Sequence, residues 1–591
     1  MQYIRKTSQN FTENFLENLL IDRGTIEETP EFYEKFFNPT LENEHDPTLL
    51  DNINEGYKLL KRHIEAESRI YIVVDPDVDG VTSASLMFNY LKNVVSPRLG
   101  KEINIEYHIP ENKSHGLEAV IDDLTAAAPA RKYDLVILPD SSSNDYDYHH
   151  QLKELGYDIL VIDHHEASRY SEDAVVINNQ LSENYPNKAL SGVGVVYKFW
   201  EYWEAQEGWD DRPIGDYVDV VALGEVSDMV NMNTLENRYI CKYGLSHIKN
   251  EFFQDLIDKQ SFSLGSGPLT QIGVAFYITP LINALIRMGS TSEKEKLFLS
   301  FITPNVRIPS TKRGHAAGDT ESYSEQTIRN CVNAKSHQDR EKEKALELLS
   351  IQISDNCLDD NKILILNADD LNVSTTLTGL CAMAVAAAYK KPVILGRMSA
   401  DGYLRGSMRG REESELKDFK AFLEDSRLTD YVEGHANASG VSIKSSNISK
   451  LYEYANEHLA NINFNEGFYE ADFVVNGNCS YLAKLIAELD EGKDIFGQGC
   501  KEPVIIIENI PLKQKDIQVI GQRKDTLKFV FNGITYIKFR ASELIEQLKE
   551  SGSDLLITIA GRGNINTWMG HSTPQVLIDE IEIKETNDDD F

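Results

Sequence analysis

Short apolar runs and helical stretches alternate along the first 250 residues of the chain. Each run is rich in β-branched or other apolar residues, as a buried parallel strand is. A helical stretch at residues 82–91 follows the first run. Strands that alternate with helices predict a parallel sheet, and therefore an α/β fold. The four runs are residues 69–74, 133–138, 159–162 and 218–223.

The pattern changes after residue 250. Residues 251–355 are mostly helical, with a polar stretch at 309–322 and a charged, exposed helix predicted at 338–353. From about residue 465 the chain is β-rich, which predicts a small barrel or sandwich. Between these regions lies a second α/β pattern, with a strand at 362–366, an Ala-rich helix at 379–389 and a strand at 392–395. The clearest strands of the last region are 504–507, 527–531 and 536–539.

Length and composition restrict the class of protein. A chain of 591 residues predicts three or four domains, and 41% hydrophobic with 26% charged residues is typical of globular proteins. We find neither a run of about eighteen apolar residues nor a signal peptide, so we expect a cytoplasmic protein without a membrane span. Six scattered cysteines without a CxxC pair argue against a zinc cluster or a disulfide framework.

The net charge of −35 counts at first sight against a nucleic-acid-binding protein, because such proteins usually present a basic face. Metal-binding carboxylates, however, require local negative charge, and a basic groove can be offset from an acidic exterior. We interpret most of the charge as a solubilising surface.

Four acidic clusters follow the four apolar runs. Because ligands of parallel sheets gather at the carboxyl ends of the strands, the clusters are expected to form one shared site. They are Asp75-Pro-Asp77-Val-Asp79-Gly80, Asp140-Ser-Ser-Ser143, Asp163-His-His165 and Gly224-Glu-Val-Ser-Asp228.

The chemistry of the clusters favours divalent cations. Three carboxylates on alternate residues would repel one another without a cation between them. Oxygen ligands suit Mg²⁺ or Mn²⁺, and added imidazole favours Mn²⁺. A calcium-binding EF-hand loop is disfavoured by the preceding strand, and two adjacent histidines behind Asp163 are not explained by packing.

The order of these clusters resembles the four motifs of the DHH phosphoesterase superfamily. Further segments are similar, in collinear order, to its RecJ-like branch of single-strand-specific 5′→3′ exonucleases. Residues 406–409 and 434–440 resemble the accessory DHHA1 domain, and residues 496–503 and 566–575 resemble the ends of an OB-fold. The resemblance implies a parallel-sheet DHH domain plus a smaller α/β DHHA1 domain joined by a helical connector, with a C-terminal β-rich OB-fold-like domain.

Domain boundaries follow from the same resemblance and from the changes of pattern. They are an N-terminal helical segment packing on the DHH domain at 1–55, the DHH domain at 56–250, a helical connector with an inserted polar loop at 251–355, the DHHA1 domain at 356–462, the OB-fold-like domain at 463–584 and an acidic tail at 585–591.

The resemblance also implies roles for individual residues. The implied metal ligands are Asp77, Asp79, Asp140, His164 and Asp228. The implied catalytic and orienting residues are His165, Asp163 and Asp75. The implied substrate-binding residues are Ser407, Arg409, His435, Arg287 and Lys113, of which Lys113 stands where the family carries an Arg on a longer loop.

The implied enzyme is a monomeric exodeoxyribonuclease with two divalent metal ions, Mn²⁺ being favoured and Mg²⁺ possible. Its substrate would be single-stranded DNA, degraded to 5′ mononucleotides in repair, recombination or replication. Lys528 and Trp568 are candidates for holding the trailing strand. The last five residues, Asn587 to Phe591, resemble the acidic tips of bacterial single-strand-binding proteins, so such proteins and other replication or repair proteins are candidate partners.

The chain departs from the family at Glu433, Ser439 and Cys500-Lys501, and residues 306–322 resemble an insertion. Two alternatives stay open. One is another DHH enzyme, an oligoribonuclease or a cyclic-dinucleotide phosphodiesterase, against which the β-rich C-terminal region argues. The other is a non-catalytic assembly subunit, against which the intact metal motifs argue. The sequence does not decide whether the substrate is DNA or RNA.

Overall fold

The computed structural model describes residues 1–7, 13–27, 29–111, 114–265, 267–369, 371, 374–550, 554–568 and 571–584. The chain forms two compact units. We call Gly24–Lys335 with Lys493–Lys501 the N-terminal unit, and Met1–Arg23 with Ser336–Gly492 and Glu502–Phe591 the C-terminal unit. The six segments into which the sequence is expected to divide remain a prediction. The acidic tail, residues 585–591, lies outside the described residues.

The strands are numbered in chain order. They are β1 (Gln2–Arg5), β2 (Arg69–Val73), β3 (Asn104–His108), β4 (Leu135–Pro139), β5 (Asp158–Asp163), β6 (Val175–Asn178), β7 (Arg307–Pro309), β8 (Thr320–Ser322), β9 (Leu364–Asn367), β10 (Val393–Met398), β11 (Tyr403–Arg409), β12 (Tyr431–His435), β13 (Ala438–Lys444), β14 (Phe468–Ala471), β15 (Phe473–Asn476), β16 (Ile505–Lys513), β17 (Gln518–Ile520), β18 (Thr526–Phe531), β19 (Ile534–Lys538), β20 (Asp554–Trp568) and β21 (His571–Lys584).

The helices are numbered in the same way. They are α1 (Phe15–Asp22), α2 (Pro30–Phe37), α3 (Ile53–Glu65), α4 (Val78–Tyr90), α5 (Ser96–Leu99), α6 (Ile121–Ala127), α7 (Tyr146–Glu154), α8 (Gly192–Glu207), α9 (Val218–Ser227), α10 (Leu235–Ser246), α11 (Glu251–Lys259), α12 (Ser261–Leu264), α13 (Gln271–Gly273), α14 (Thr279–Met288), α15 (Thr291–Ile302), α16 (Tyr323–Asp355), α17 (Thr378–Tyr389), α18 (Phe419–Ser426), α19 (Ile448–His458), α20 (Leu482–Glu491) and α21 (Ser542–Glu550).

The N-terminal unit is built on a five-stranded parallel sheet with the order β3-β2-β4-β5-β6. Side chains alternate between the two faces of each strand, and the inner strands β2, β4 and β5 are buried on both faces. Tyr71, Val136 and Ile159 belong to one apolar cluster with Leu124 of α6 and Leu152 of α7. On the opposite face α3 and α8 pack on the sheet, and α4 packs against α8 and α9. The predicted α/β architecture is confirmed.

The prediction of a strand at residues 218–223 is wrong, because this run lies in α9. Every residue of that helix from Val218 to Val226 is buried. A helix that is apolar all round lacks the 3.6-residue period, and its sequence cannot be told from that of a buried strand. Only three of the four acidic clusters therefore follow strands.

The C-terminal unit contains two larger sheets. The first has the order β12-β13-β11-β10-β9, and its core includes Met408, Leu423 of α18 and Leu451 of α19. The second is a seven-stranded mixed sheet with the order β15-β16-β20-β21-β19-β18-β17, which confirms the predicted β-rich region. Strand β1 pairs in parallel with β14, so the chain begins with a strand where short helices were expected.

The polar stretch at 309–322 forms most of a small hairpin, in which β7 pairs with β8. The exposed helix predicted at 338–353 lies within the much longer α16. One 18-residue helical window, Gln271–Met288, has a mean hydropathy of 1.3 and by length and composition could cross a membrane. Gln271, Asn283 and Arg287 interrupt the window, so it is not a continuous apolar run, and half of it is buried, as in the core helix of a globular unit.

Candidate active site

Three acidic clusters lie at one edge of the parallel sheet in the N-terminal unit. Strand β4 pairs with both β2 and β5, so the carboxyl ends of these three strands are neighbours. Asp75 follows β2 by two residues, Asp140 follows β4 directly, and Asp163 is the last residue of β5. The sheet therefore brings together side chains that are up to 88 residues apart in the sequence.

The first cluster forms the turn from β2 into α4. The Asp77 side chain caps the helix by accepting a hydrogen bond from the Gly80 N–H at 2.8 Å. A Cβ at Gly80 would lie 2.4 Å from the Cβ of Asp75, so the turn is too tight for any other residue. The helix starts at Val78, four residues before the predicted start, because the capping aspartate belongs to the motif itself.

Asp79 is held by the first residues of α8. Its carboxylate accepts hydrogen bonds from the N–H of Gly192 at 2.8 Å and of Val193 at 3.0 Å. The N–H groups at the start of a helix stabilise a carboxylate, and here Ser191 caps that helix. The acidic motifs alone do not predict this contact. A serine before a glycine-rich helix start was the signal that could have suggested it.

Asp140 is buried in a left-handed backbone conformation with φ of 65°. Aspartate tolerates this conformation better than most residues. Its Oδ1 has no hydrogen-bond partner among the residues that the structure describes. Because a buried carboxylate oxygen without a hydrogen bond is costly, this atom fits a cation ligand.

Both carboxylate oxygens of Asp163 accept hydrogen bonds from nearby residues. It accepts from the Ser143 N–H at 3.1 Å and from the His164 N–H at 2.7 Å, and its Oδ1 lies 2.8 Å from Nδ1 of His165. Asp163 thus binds the backbone N–H groups of both histidines and the ring of His165. Asn178 of β6 supports the same loop by donating to the His165 carbonyl at 2.9 Å.

The fourth cluster reaches the site from the end of α9. Asp228 is the C-terminal capping residue of that helix, and one of its carboxylate oxygens lies 3.7 Å from Nδ1 of His164. The position of α9 is fixed next to this residue by a 2.9 Å hydrogen bond between the hydroxyls of Ser227 and Thr279. A helix therefore brings Asp228 to the site, where a strand was predicted.

The carboxylates and imidazoles lie at distances that suit shared metal ions. His164 Nε2 is 3.2 Å from Asp140 Oδ1 and 3.9 Å from Asp79 Oδ2. Within each of three groups, one possible ligand atom per residue lies within 4.8 Å of the others. The groups are Asp79 with His164 and Asp228, Asp75 with Asp77 and Asp140, and Asp140 with Asp163, His164 and His165. The donor set of carboxylates and imidazole fits Mn²⁺ or Mg²⁺.

The buried carboxylates of the site differ in the direction of their pKa shifts. Burial raises the pKa of Asp228 to about 8, and burial with the neighbouring aspartates raises the pKa of Asp140 well above its usual range. Burial also acts to raise the pKa of Asp163, but hydrogen bonds from His165 and Ser143 outweigh it and hold that pKa low. Asp163 and His165 thus form an ion pair, whereas the crowded carboxylates need a cation.

Two further residues of the N-terminal unit lie close to the cluster. His115 was not selected from the sequence, and its Nδ1 is 2.8 Å from Oδ2 of Asp75. Arg287 of α14 is near enough to Asp77 for that charge to raise its pKa, although burial dominates and lowers it. Lys113, the third predicted basic contact, lies outside the described residues.

Glu225 was quoted in the sequence analysis only as part of a motif. It is buried in α9, and its Oε1 accepts from the Ser191 N–H at 3.3 Å and from the Ser191 hydroxyl at 3.1 Å. Burial raises its pKa well above the usual range. Glu225 therefore fixes the turn whose next two N–H groups bind Asp79.

The remaining predicted substrate contacts come together in the C-terminal unit. Arg409 and His435 are both paired in register with Ala438, one on each side of β13, and Ser407 precedes Arg409 on β11. The N-terminus of α17 lies against them, since a Cβ at Gly379 would be 2.5 Å from Nη2 of Arg409 and 3.5 Å from Oγ of Ser407. Near the same helix end, Arg397 donates to the Thr378 hydroxyl at 3.3 Å.

Sequence comparisons place the chain among known nucleases. The model of the DHH family, N-terminal domain, matches residues 69–224, and the model of the RecJ OB domain matches residues 480–580. The putative prophage-derived single-strand DNA-specific exonuclease YorK of Bacillus subtilis is 36% identical over 544 residues, which is 91% of each chain. The exonuclease RecJ of the same organism is 25% identical over 590 residues, covering 98% of this chain and 69% of the relative.

Solved structures agree on the fold. The crystal structure of RecJ in complex with Mn²⁺ from Thermus thermophilus matches with a TM-score of 0.69 at 19% identity, covering 94% of this chain and 74% of that chain. The complex of RecJ with Mg²⁺ from the same organism matches with a TM-score of 0.63 at 18% identity, covering 94% and 73%.

Proposed function

Since the chain belongs to the RecJ family of single-strand-DNA-specific exonucleases, we propose that it removes nucleotides from the 5′ end of single-stranded DNA and releases 5′ mononucleotides. The observation that carries the proposal is the convergence of Asp79, Asp140 and Asp228 around His164, with the Asp140 Oδ1 buried and without a hydrogen bond among the described residues. Such a cluster is typical of metal-dependent phosphodiester hydrolysis.

Two divalent ions fit the cluster, and Mn²⁺ is favoured over Mg²⁺ by the imidazole ligand. Asp79, His164 and Asp228 would hold one ion, and Asp77 and Asp140 the other, with Asp75 beside them. When bound, the ions activate a water for attack on phosphorus and neutralise the charge of the phosphate.

The residues of the chain orient these ligands and the substrate. The helix start at Gly192 and Val193 fixes Asp79, and Asp163 fixes the imidazole of His165. The hydrogen bond to Asp163 and the charge of that carboxylate raise the pKa of His165 to about 9 against the effect of burial, which favours the protonated imidazole. An imidazolium at this position would contact the scissile phosphate and stabilise its charge.

Recognition of a 5′ phosphate would give the direction of digestion. Ser407 and Arg409, with Arg397 nearby, lie at the N-terminus of α17 in the C-terminal unit. Arginine grips phosphate oxygens in a bidentate manner, and the N–H groups at a helix start add favourable dipoles. His435, which neighbours Arg409 through β13, would complete this phosphate site.

A second surface of the C-terminal unit suits the sugar-phosphate backbone of single-stranded DNA. Residues 513–540 contain seven Lys and Arg against two Asp, a net charge of +5 in a chain of −35. The same segment exposes Phe539 and Val530. Basic and apolar side chains together are typical of single-strand binding, and Lys528 lies on β18 within this segment. The side chain of Trp568, the other predicted contact, lies outside the described residues.

The test uses purified protein with Mn²⁺ and a 5′-phosphorylated single strand labelled at its 3′ end. We expect a ladder of shortening labelled fragments, whereas a 3′→5′ enzyme would release the label at once as a mononucleotide. Asp140→Ala should abolish the ladder, and Asp211→Ala, a variant of an exposed aspartate paired with Arg98, should retain it.

Matched substrates decide between the related activities. RNA of the same sequence, duplex DNA and cyclic or linear dinucleotides are digested in parallel. Activity confined to dinucleotides or to RNA would contradict the proposal and favour another DHH enzyme. Equal activity of wild type and Asp140→Ala would contradict the assignment of the site, and an inactive wild type with bound DNA would favour a non-catalytic subunit.

A further inference from the structure

Two exposed imidazoles at the mouth of the cluster are held in the same way by buried aspartates. Nδ1 of His115 lies 2.8 Å from Asp75, and Nδ1 of His165 lies 2.8 Å from Asp163. The histidine side chains are 63% and 58% exposed, whereas those of the two aspartates are 3% and 0% exposed. A buried carboxylate that binds one ring nitrogen fixes the ring and directs the other nitrogen outward.

The loop that carries His115 is fixed against the Asp140 loop. The Gly116 N–H donates to the other oxygen of Asp75 at 3.2 Å, and the Leu117 N–H donates to the Ser142 hydroxyl at 3.0 Å. Gly116 has φ of 52°, and a Cβ on it would lie 2.2 Å from that hydroxyl, so this close approach requires glycine. The imidazole of His115 is therefore held in place from both sides.

The two imidazoles are also electrostatic neighbours. The hydrogen bond to Asp75 raises the pKa of His115 against the effect of burial, the charges of Asp75 and Asp77 raise it further, and the charge of His165 lowers it. His115 thus lies among some of the same charges as His165 and contacts Asp75, a member of the group formed by Asp75, Asp77 and Asp140. A phosphodiester presents two non-bridging oxygens, and each of them can accept a hydrogen bond from one imidazole.

We propose that His115 is a second substrate-contacting histidine, whose Nε2 binds a non-bridging oxygen of the scissile phosphate beside His165. The inference rests on the proposed function, because it names a further contact to the same substrate. His115 would act on the phosphate directly, not through the metal ligands. The bond to Asp75 orients the ring, and the bond to phosphate forms when substrate enters.

The test compares variants that separate substrate contact from metal binding. His115→Phe keeps the ring shape and removes both nitrogens, and His115→Gln keeps a side-chain donor. His150→Phe is the matched control, because His150 is 64% exposed and its Nδ1 lies 3.0 Å from Asp173. For each protein we measure kcat and KM on a 5′-phosphorylated single strand, Mn²⁺ affinity by calorimetry and the thermal midpoint.

We expect His115→Phe to lower kcat/KM by about 10- to 100-fold, as the loss of a hydrogen bond to a charged group does. His115→Gln should keep part of the activity, and His150→Phe should equal wild type. Mn²⁺ affinity should not change in any of the three variants, since the phosphate contact forms only with substrate. The thermal midpoint should fall only in His115→Phe, because the buried Asp75 carboxylate loses a hydrogen bond there.

Two outcomes would overturn the inference while leaving the proposed function intact. One is an active wild type with His115→Phe within about twofold of it. The other is a loss of Mn²⁺ affinity in His115→Phe that parallels its loss of activity, because His115 would then act by orienting Asp75. A wild type that fails to digest single-stranded DNA would instead refute the proposed function, and the inference with it.

Discussion

Gly192, the first residue of α8, offers the sharpest test of the metal cluster. A Cβ on Gly192 would lie 2.3 Å from Oδ1 of Asp140 and 2.6 Å from its Cβ and Cγ. The N–H of the same residue donates to Asp79. Gly192→Ala therefore displaces one predicted ligand, disturbs the support of another, and leaves every ligand present in the chain.

The size of the effect follows from the overlap. The optimal van der Waals separation of non-bonded heavy atoms is about 3.5 Å, so the new methyl group overlaps the Asp140 carboxylate by roughly 1 Å. A misplacement of that size in an active site costs about 100-fold in activity. Overpacking costs about 1–3 kcal/mol of stability, of which the higher helix propensity of alanine offsets roughly 0.5–1 kcal/mol. The variant should therefore fold.

The assay measures kcat/KM for single-strand digestion with Mn²⁺, together with Mn²⁺ affinity by calorimetry and folding by circular dichroism. Gly215→Ala is the matched control in the same unit, because a Cβ there would approach only Nη1 of Arg212, at 3.8 Å, among the described residues. We expect about 100-fold lower kcat/KM and weaker Mn²⁺ binding in Gly192→Ala and no change in the control. Wild-type activity and Mn²⁺ affinity in a folded Gly192→Ala would refute the reasoning.

Three further predictions concern other parts of the molecule. Gly379→Ala places a Cβ 2.5 Å from Nη2 of Arg409 and should raise KM about tenfold for 5′-phosphorylated strands but not for 5′-hydroxyl strands; equal effects on both substrates would contradict a 5′-phosphate site. Reversing Lys528 and Arg523 to glutamate should weaken single-strand binding and reduce the slope of log K against log salt by about 1.4, measured by fluorescence anisotropy; an unchanged slope would exclude this surface. Burial raises the pKa of Glu204 from 4.5 to about 7. The free energy of unfolding is therefore highest below pH 4.5, where the buried side chain is neutral, and part of it is lost as the pH rises to 7 and the side chain ionises. Glu204→Gln should therefore raise stability by about 2–3 kcal/mol at pH 8 and leave it unchanged at pH 4, and equal melting shifts at both pH values would disprove this.

The sequence by itself determined the α/β class and most of the site. Runs such as residues 69–74 and 159–162 are too short for helices and too apolar for loops, so their strands could be predicted from composition. The aspartates that follow three of the strands needed only the rule that parallel strands end at one edge. Asp140 and Asp163 lie close together there because their strands, β4 and β5, pair directly with each other.

The sequence was uninformative where burial removes periodicity or where contacts are made by distant backbone. Residues 218–223 are apolar except for Asp219 and are all buried, so no helical period in them distinguished α9 from a strand. Asp228 nevertheless reaches His164, because the packing of α9 against α4 and α8 brings its end to the sheet edge.

Only the tertiary structure decided which groups support the ligands. The start of α8 binds Asp79 across 113 residues of sequence, and His115 meets Asp75 across 40. Neither contact leaves a local pattern, because a backbone N–H is present at every residue but proline and a single histidine has many possible partners. The acidic clusters could be found by their position after strands, whereas the partners that orient them depend on how strands and helices pack.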